Sequence, residues 1–205
     1  MSRRKGKLYV ISGPSGTGKG TICAELLKEP MNEFSVSMTT RPPREGEVEG
    51  KDYYFVTRED FIANIEAGNF LEHAENFENL YGTPKEMVLN RLERGRNIIL
   101  DIDVQGALQV KKAMPEAILI FILPPSLTEL RKRLEGRGTE TADKVERRLA
   151  EALNEIRLIG EYDYWLVNDD IDKAVEKIRS IMTAESLKVP KAVRQIIREY
   201  EKEAQ

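Results

Sequence analysis

The sequence predicts an α/β fold in which a parallel β-sheet has helices on both faces. Short, almost wholly apolar runs recur along the 205-residue chain, and segments with apolar residues at helical spacing lie between them. Strands that are apolar on both faces are typical of parallel sheets that are covered on both sides. A glycine-rich stretch follows the first apolar run directly. This predicts a tight turn at the carboxyl end of a strand, which is where ligands bind in open α/β sheets.

Each predicted element has its own pattern. The predicted strands are the apolar runs 8–11, 98–100, 118–123 and 164–167. The predicted helices are the periodic segments 21–28, 104–113, 127–134, 145–159 and 171–182. Ser126, three residues before Glu129, fits a capping box at the start of one helix. Another helix has an apolar stripe that is predicted to face the core. The residues of this stripe are Val145, Leu149, Leu153 and Ile156.

The chain is expected to form one domain with two interruptions. One interruption is polar, rich in Gly, Tyr, Thr and Arg, and has only short strand-like runs, so it is predicted to fold as a small, partly β lobe. The other is a polar stretch between two helices and predicts a short mobile lid. A charged tail is expected to form a helix that docks on the body of the protein or on a partner subunit. The predicted divisions are core residues 1–34 and 85–184, an inserted lobe at 35–84, a lid at about 136–147 and a tail at 185–205.

Composition argues against several classes of protein. A net charge of -3 gives no general attraction to nucleic acid or to an anionic membrane. The longest strongly apolar run, residues 117–123, is too short to span a bilayer, and the basic N-terminus leads into a strand rather than a secretory segment. Cys23 is the only cysteine and His73 the only histidine, so neither a disulfide nor a zinc cluster is expected. The sequence therefore predicts a cytoplasmic protein that binds neither nucleic acid nor membrane, and it leaves the oligomeric state open.

The most specific motif is the stretch 8–21, which reads LYVISGPSGTGKGT. Its glycines let backbone N–H groups approach an anion closely, and the helix that follows directs the positive end of its dipole at the same point. Lys19 adds a cation for the β- and γ-phosphates of a nucleotide. A plain glycine-rich turn is the alternative, but it would not need a Gly-Lys pair at this position. The predicted ATP-binding residues of the loop are Gly13, Pro14, Ser15, Gly16, Thr17, Gly18, Lys19, Gly20 and Thr21.

One position of this loop departs from the usual pattern. Gly20 stands where Ser or Thr normally follows the lysine, and Thr21 comes one residue later. The hydroxyl in the usual pattern contacts Mg²⁺. That contact is therefore in question here, whereas the phosphate-binding backbone is not.

A second anion site is suggested by Arg41 and Arg44, which lie three residues apart in a segment stiffened by two prolines. Guanidinium groups bind phosphate oxygens through paired hydrogen bonds, and Tyr53 and Tyr81 can donate to the same group. The alternative is a solvated charged loop, because three nearby glutamates nearly balance the arginines. Spacing alone does not decide between these two interpretations.

The apolar strand before residue 104 closes with two carboxylates, Asp101 and Asp103. Carboxylates at that end of a strand, beside a phosphate loop, suit Mg²⁺ that is held mainly through water. Asp103 is also well placed to cap the helix that begins at Val104. The division of roles between the two residues stays open.

Six motifs, taken in order, resemble the guanylate kinase family over essentially the whole chain to about Ala184. They are GPSGTGKGT, SVSMTTRPPREGEVEGKDYYF, FLEHAENFENLYGT, ILDIDVQG, RLEGRGTET and VNDD, of which the second is specific to that family. The resemblance implies an α/β fold of the P-loop nucleoside triphosphate hydrolase type, with a parallel sheet core and an inserted, partly β GMP-binding lobe. It also implies transfer of the γ-phosphoryl group of ATP to GMP, giving ADP and GDP, with Mg²⁺ as cofactor and the two nucleotides as small-molecule partners.

By this resemblance, matching positions take the roles they have in the family. The residues implied to bind GMP are Ser37, Arg41, Arg44, Tyr53, Glu72, Tyr81, Thr83 and Asp103. The residues implied to be catalytic are Lys19, Asp101, Arg133, Arg137 and Arg148, the arginines flanking the lid. Asn168 is implied to contact the base of ATP, and Thr21 and Asp101 are the candidate contacts to the metal. An ionised Glu72 suits the adjacent N1–H and N2–H₂ donors of guanine, whereas adenine would leave the carboxylate unpaired.

Other classes of protein share parts of this pattern. Residues 103–106 fit the Asp-x-x-Gly pattern of GTP-hydrolysing switch proteins, but Asp169 stands where their Asn-Lys-x-Asp motif has lysine. Guanylate-kinase-like domains also serve as non-catalytic modules that bind phosphopeptides. The intact phosphate loop and the lid arginines argue against lost catalysis. A kinase for a different nucleoside monophosphate is opposed by Glu72 and Ser37.

Overall fold

Two β-sheets dominate the structure, a computed structural model that describes residues 5–76, 78–136, 142–189 and 193–203. The strands in these ranges are β1 (Leu8–Ser12), β2 (Asn32–Phe34), β3 (Ser37–Thr39), β4 (Tyr53–Phe55), β5 (Phe70–Asn76), β6 (Asn79–Pro84), β7 (Asn97–Asp101), β8 (Ile118–Leu123) and β9 (Tyr164–Val167). The helices are α1 (Lys19–Leu26), α2 (Arg58–Glu66), α3 (Lys85–Glu93), α4 (Val104–Ala113), α5 (Leu127–Glu135), α6 (Ala142–Ile156), α7 (Ile171–Leu187) and α8 (Val193–Glu203). A short 3-10 turn spans Ile159–Glu161.

The larger sheet is parallel throughout and has the strand order β2-β7-β1-β8-β9. In the central strand, Val10 pairs with Leu100 on one side and with Leu119 on the other. The parallel sheet predicted from the apolar runs is therefore confirmed. The edge strand β2 was not predicted, because an edge strand that reads Asn-Glu-Phe has no continuous apolar run.

The core lies on both faces of this sheet. Tyr9 and Ile11 point to a cluster formed with α1 and α7, whereas Leu8 and Val10 point to a second cluster formed with α3 and α4. This division follows from the alternation of side chains along a strand. Each fully buried aliphatic side chain contributes about 1.5–3 kcal/mol relative to an exposed one. Burial on both faces explains why β1 carries no exposed residue.

The smaller sheet has the strand order β4-β3-β6-β5. This sheet and helix α2 together are called the lobe. Phe61 of α2 stacks on Phe70 of β5 with ring centroids 4.5 Å apart, and both side chains are buried. Thr57 caps α2, since its hydroxyl accepts a hydrogen bond from the Asp60 N–H. The partly β character predicted for this part of the chain is confirmed, and α2 is a helix that the sequence analysis did not predict.

Helix boundaries and one buried face differ from the sequence predictions. Helix α1 begins at Lys19 rather than Thr21, directly after Gly18 in a left-handed conformation. The capping residue predicted for α5 is confirmed, because the Ser126 hydroxyl accepts from the Glu129 N–H at 3.0 Å. In α6 the predicted stripe is wrong at one position: Leu153 is 43 % exposed, and Ala152 is buried instead. The buried face follows the spacing i, i+4, i+7 from Val145.

The structure describes the predicted tail more fully than the predicted lid. Residues 137–141 of the predicted lid lie outside the described residues. The tail forms the predicted helix, α8, on which Ile197 and Tyr200 are 50 % and 63 % exposed. No helix in the described ranges is both long and apolar enough to cross a membrane.

Gly6 provides a test of the packing at the start of β1. Its N–H donates to the Leu92 carbonyl at 2.8 Å, and a Cβ at this position would lie 1.9 Å from the Arg96 carbonyl oxygen. Gly6→Ala must therefore separate β1 from the α3–β7 connection, and we expect the free energy of unfolding to fall by about 2–3 kcal/mol. Denaturant unfolding measures the loss. Gly160→Ala is the matched control, because a Cβ there meets nothing within 4 Å; equal losses in both variants would contradict the packing argument.

Candidate active site

The predicted phosphate loop lies between the end of β1 and the start of α1. Gly13, Gly16 and Gly18 have φ values of +133°, +88° and +89°, which residues with a Cβ rarely adopt. The surroundings also exclude a side chain. A Cβ on Gly13 would lie 2.4 Å from the Ile122 carbonyl oxygen, and one on Gly18 would lie 2.5 Å from Asn168 Nδ2. Glycine is therefore required here both by the turn and by the close approach of neighbouring elements.

Lys19 folds back over the mouth of this loop. Its Nζ donates to the carbonyl oxygens of Gly13 at 2.6 Å and Pro14 at 3.0 Å. Burial lowers the pKa of the Lys19 ammonium, and the nearby Asp101 carboxylate opposes that shift. A partly desolvated cation is thus held beside the backbone N–H groups of the loop. Both features favour an anion at this point.

The opposite side of the loop is held by β9 and α5. The buried Asn168 carboxamide donates from Nδ2 to the Thr17 carbonyl at 2.7 Å, and Arg133 donates to the Asn168 carbonyl at 3.2 Å. A Cβ on Gly16 would lie 3.1 Å from Leu130 of α5. A cleft of about 240 Å³ opens beside these contacts. It is lined by Gly16, Gly18, Arg133, Asn168, Asp169 and Ile171.

Strand register brings four predicted residues together in the lobe. Ser37 pairs with Tyr53 between β3 and β4, and Glu72 pairs with Thr83 between β5 and β6. The ladder between β3 and β6 ends one residue short of Ser37 and Thr83, which are the next residues along the two strands. Directly opposite residues in neighbouring strands point to the same face of a sheet. Tyr81, two residues before Thr83 on β6, shares that face.

Glu72 is the buried acid of this face. Only 8 % of the residue is exposed, and its Oε1 accepts a hydrogen bond from the Thr83 hydroxyl at 2.6 Å. Burial raises the pKa of the Glu72 carboxyl, the Thr83 hydrogen bond lowers it, and the charge of Asp103 raises it further. No ion pair in the described part of the chain involves Glu72. The negative charge of this buried carboxylate is therefore not balanced by any ion pair among the described residues.

Arg41 and two tyrosines of the predicted second anion site lie close together. The Arg41 guanidinium lies 5.5 Å from the Tyr53 ring centroid, and the rings of Tyr53 and Tyr81 are 6.1 Å apart. Glu47 occupies this cluster: its Oε1 lies 2.8 Å from Arg41 NH2, and its Oε2 accepts from the Arg44 N–H at 2.7 Å. The hydrogen bond to Arg41 lowers the pKa of the Glu47 carboxyl. One of the glutamates that balance the arginines in the sequence therefore places its carboxylate at the position where an anion is predicted.

Asp101 and Asp103 have different surroundings. Asp101, half-buried at the end of β7, faces the first turn of α1, since a Cβ on Gly20 would lie 3.6 Å from its Oδ2. Burial raises the pKa of the Asp101 carboxyl, and Lys19 opposes that shift. Asp103 caps α4, because its Oδ1 accepts from the Gly106 N–H at 2.8 Å. The capping alternative for Asp103 is confirmed.

The described residues beside the loop offer few candidate ligands for a metal ion. No group of three or more His, Cys, Asp or Glu residues in the described ranges could hold one. Asp101 is a single half-buried carboxylate beside the loop, and Thr21 is exposed on the first turn of α1. This donor set fits an ion that takes its other ligands from water and phosphates, as Mg²⁺ does.

The three predicted lid arginines differ in how much the structure describes of them. Arg133 is half-buried, with its Nε 3.3 Å from Glu129 Oε1, and it borders the cleft beside the phosphate loop. Arg148 is half-buried on α6. Arg137 lies outside the described residues. The described contacts therefore locate Arg133 beside the loop.

Glu155 of α6 is a charged residue near the loop that the sequence analysis missed. Burial raises the pKa of its carboxyl, and the positive charge of Lys19 opposes the shift. Glu155 follows the buried Ala152 by three residues, so it lies at the edge of the buried face of α6. That spacing is the signal that could have singled it out.

Comparison with known proteins shows to which family the chain belongs. A family model described as guanylate kinase matches residues 5–185. The chain belongs to the guanylate kinase family. A guanylate kinase of Clostridium tetani is 54% identical over 185 residues, which cover 90% of this chain and 89% of the relative. One of Clostridioides difficile is 48% identical over 204 residues, which cover 99% and 100% of the two chains.

A solved structure of a family member has the same architecture. The crystal structure of guanylate kinase from Anaplasma phagocytophilum matches with a TM-score of 0.69 and 39% sequence identity. The match covers 90% of this chain and 88% of that chain. The similarity therefore extends over nearly the full length of both chains. The fold predicted from the resemblance is therefore confirmed.

The buried charge of Glu72 predicts a pH-dependent gain in stability for Glu72→Gln. A carboxyl whose pKa is raised by burial destabilises the fold when ionised, and this cost disappears as the pH falls through that pKa towards the ordinary value of 4.5. The neutral variant keeps an acceptor for Thr83. We expect its Tm to exceed that of the parent by about 2–4 °C at pH 7, and the difference to vanish in acid.

Calorimetry across a pH series measures this difference. Glu47→Gln is the control of opposite sign, because hydrogen bonding to Arg41 lowers the pKa of Glu47 and its ionised form stabilises the fold. A lower Tm for Glu72→Gln than for the parent at pH 7 would show that the buried charge is compensated.

Proposed function

We propose that this chain transfers the γ-phosphoryl group of ATP to GMP, giving ADP and GDP. One observation carries this conclusion: a glycine-rich loop at the carboxyl edge of the parallel sheet is connected through β7 and α4 to a lobe whose buried carboxylate has no described cationic partner and lies beside an arginine–tyrosine cluster. The first suits a nucleoside triphosphate, and the second suits a nucleotide with hydrogen-bond donors on its base. The relatives of similar length, which are named guanylate kinases, support the same reaction.

The donor site is proposed to consist of the phosphate loop and the adjoining cleft. The N–H groups of residues 13–21 would bind the phosphates of ATP, with Lys19 exchanging its two carbonyl partners for phosphate oxygens. The nucleoside would lie in the cleft beside Arg133. Because Asn168 Nδ2 is already bound to Thr17, we propose that Asn168 shapes the wall of this cleft and holds the loop.

The acceptor site is proposed to be the face of the lobe that carries Glu72. The GMP phosphate would displace Glu47 from Arg41 and Arg44, and phenol groups of Tyr53 and Tyr81 would donate to the same oxygens. The proposed guanine-binding residues are Ser37, Glu72 and Thr83, with Asp103 beside them at the start of α4. The Glu72 carboxylate would accept the paired N–H donors of guanine, and its burial makes a base without those donors costly to bind.

The chemistry is proposed to depend on position and charge rather than on a covalent intermediate. The two binding sites would align the acceptor phosphate with the γ-phosphoryl group, and Lys19, Arg133, Arg137 and Arg148 would neutralise charge as it moves between them. Asp101 is proposed to hold Mg²⁺ mainly through water, with Thr21 as a further candidate contact. When bound, the ion neutralises charge on the ATP phosphates.

The proposed division of the chain follows the same logic. The core would bind ATP, the insertion at about 35–84 would bind GMP, and the segment at about 136–147 would act as a lid.

A GTP-hydrolysing switch is less well supported, because it leaves the arginine–tyrosine cluster unused. A non-catalytic module is less well supported, because it would not require the glycines and Lys19 of the phosphate loop.

Acceptor choice tests the reaction directly. With Mg-ATP as donor, we expect GMP to be phosphorylated and AMP, CMP and UMP to be poor acceptors, because only guanine presents paired donors to Glu72. A coupled assay that detects ADP measures each acceptor in turn. Equal turnover of AMP and GMP would contradict the role of Glu72. Production of GDP and phosphate from GTP alone would favour a switch protein instead.

Two substitutions test which site binds which nucleotide. Arg44→Ala removes a charged donor from the acceptor cluster, and we expect the KM for GMP to rise about 10- to 100-fold with little change in the KM for ATP. Lys19→Ala is expected to act mainly on kcat. Steady-state kinetics measures both effects, and Lys51→Ala, which removes an exposed charge from the same loop as Arg44, is the control. A rise confined to the KM for ATP in Arg44→Ala would mean that the sites are exchanged.

A further inference from the structure

Gln109 of α4 makes two hydrogen bonds to a single residue of the lobe. Its Oε1 accepts from the His73 N–H at 3.1 Å, and its Nε2 donates to the His73 carbonyl at 3.2 Å. Strand β5 lies at the edge of the lobe sheet and pairs only with β6 among the described strands. The outward N–H and C=O of an edge strand are normally left to solvent. The Gln109 carboxamide takes the position that a peptide group of a neighbouring strand would have.

The chemistry of this contact is specific to a carboxamide. The His73 backbone presents one donor and one acceptor, and an amide side chain presents the complementary acceptor and donor. A glutamate of the same size has acceptors only, so it would keep one bond and set a negative charge against the His73 carbonyl oxygen. Gln109→Glu therefore changes the polarity of the contact with almost no change in shape.

The same face of α4 also approaches the residue before His73. Gly106 precedes Gln109 by three residues, which places both on one side of the helix. A Cβ on Gly106 would lie 3.4 Å from Glu72 Oε2, while Glu72 Oε1 is bound by Thr83. Helix α4 thus adjoins the Glu72 carboxylate and fixes the backbone of the next residue.

We propose that Gln109 is a positioning residue for acceptor selection, which holds the edge of the lobe on α4 and so sets the place of the Glu72 carboxylate in the acceptor site. This inference rests on the proposed function of Glu72 in binding guanine. Gln109 does not touch the nucleotide itself. Loss of the Gln109 contact displaces the Glu72 carboxylate, which accepts hydrogen bonds from the base, and leaves the phosphate loop unchanged.

Steady-state kinetics of Gln109→Glu and Gln109→Ala with GMP and AMP tests this role. We expect the KM for GMP to rise about tenfold, the ratio of kcat/KM for GMP over AMP to fall by a similar factor, and the KM for ATP to stay within about twofold. Arg58→Ala is the matched control: it removes contacts to Glu75 and Glu78 at the far end of the same hairpin. An unchanged GMP-to-AMP ratio in Gln109→Glu, or an equal loss in Arg58→Ala, overturns the proposal.

Glu72→Gln separates this inference from the function on which it rests. If Glu72→Gln keeps the preference for GMP, the proposed role of Glu72 fails. If Glu72→Gln loses that preference and Gln109→Glu keeps it, only the role of Gln109 fails. If both lose it and Arg58→Ala does not, both proposals are supported.

Amide hydrogen exchange tests the contact without any assay of activity. In the parent chain we expect the His73 amide to be protected although it faces away from β6, because Gln109 binds it. In Gln109→Ala this protection should fall more than about tenfold, while the neighbouring Ala74 amide, whose residue pairs with Tyr81, keeps its protection. Exchange of the His73 amide in the parent chain at the rate of an unpaired edge amide overturns the proposal.

Discussion

The proposed donor site depends on the close packing of three elements, distant in sequence, around the glycine-rich loop between β1 and α1. Strand β8 approaches Gly13 through the Ile122 carbonyl, Asn168 at the end of β9 approaches Gly18, and α5 approaches Gly16. None of these approaches leaves room for a Cβ without a shift of the neighbour. The loop is therefore shaped by tertiary contacts as well as by its own sequence, and its N–H groups are fixed before any nucleotide binds. Preorganised donors of this kind bind a phosphate without further loss of backbone entropy.

The proposed acceptor site differs from the donor site, because it contains a buried negative charge that no described residue neutralises. Burial of Glu72 costs stability, because the Thr83 hydroxyl supplies one hydrogen bond and no described cation neutralises the carboxylate. The Arg41 cluster shows the complementary case, in which Glu47 balances the positive charge. A ligand with a negatively charged phosphate and a base rich in hydrogen-bond donors would match both the Arg41 cluster and the Glu72 carboxylate. Under the proposed function, selectivity comes from a buried carboxylate that a base without donors would leave unsatisfied, rather than from shape alone.

The features that the sequence predicted well are those with strong local patterns. Continuous apolar runs predicted the parallel sheet, and the glycine spacing before Lys19 predicted the loop. Features set by tertiary context were missed: β2 is a short edge strand with polar residues, and the α6 stripe was misassigned at Leu153 because alternative apolar faces differ by one position. Gln109 has no signal in a single sequence, since its partner is the backbone of a residue 36 positions away. Of the residues proposed to bind the acceptor, Arg41 and Arg44 had a local pattern, whereas Glu72 was proposed through family resemblance.

One continuous segment links the two sites. Strand β7 ends at Asp101, which faces Lys19 and the first turn of α1, and Asp103 then starts α4. Along α4, Gly106 and Gln109 meet the edge of the lobe at Glu72 and His73. The proposed donor and acceptor sites are therefore connected by the end of a strand and a capped helix, whose backbone geometry is regular. Phosphoryl transfer needs reacting atoms within about 3–3.5 Å, so the proposed reaction depends on the spacing that this connection sets between Lys19 and Glu72.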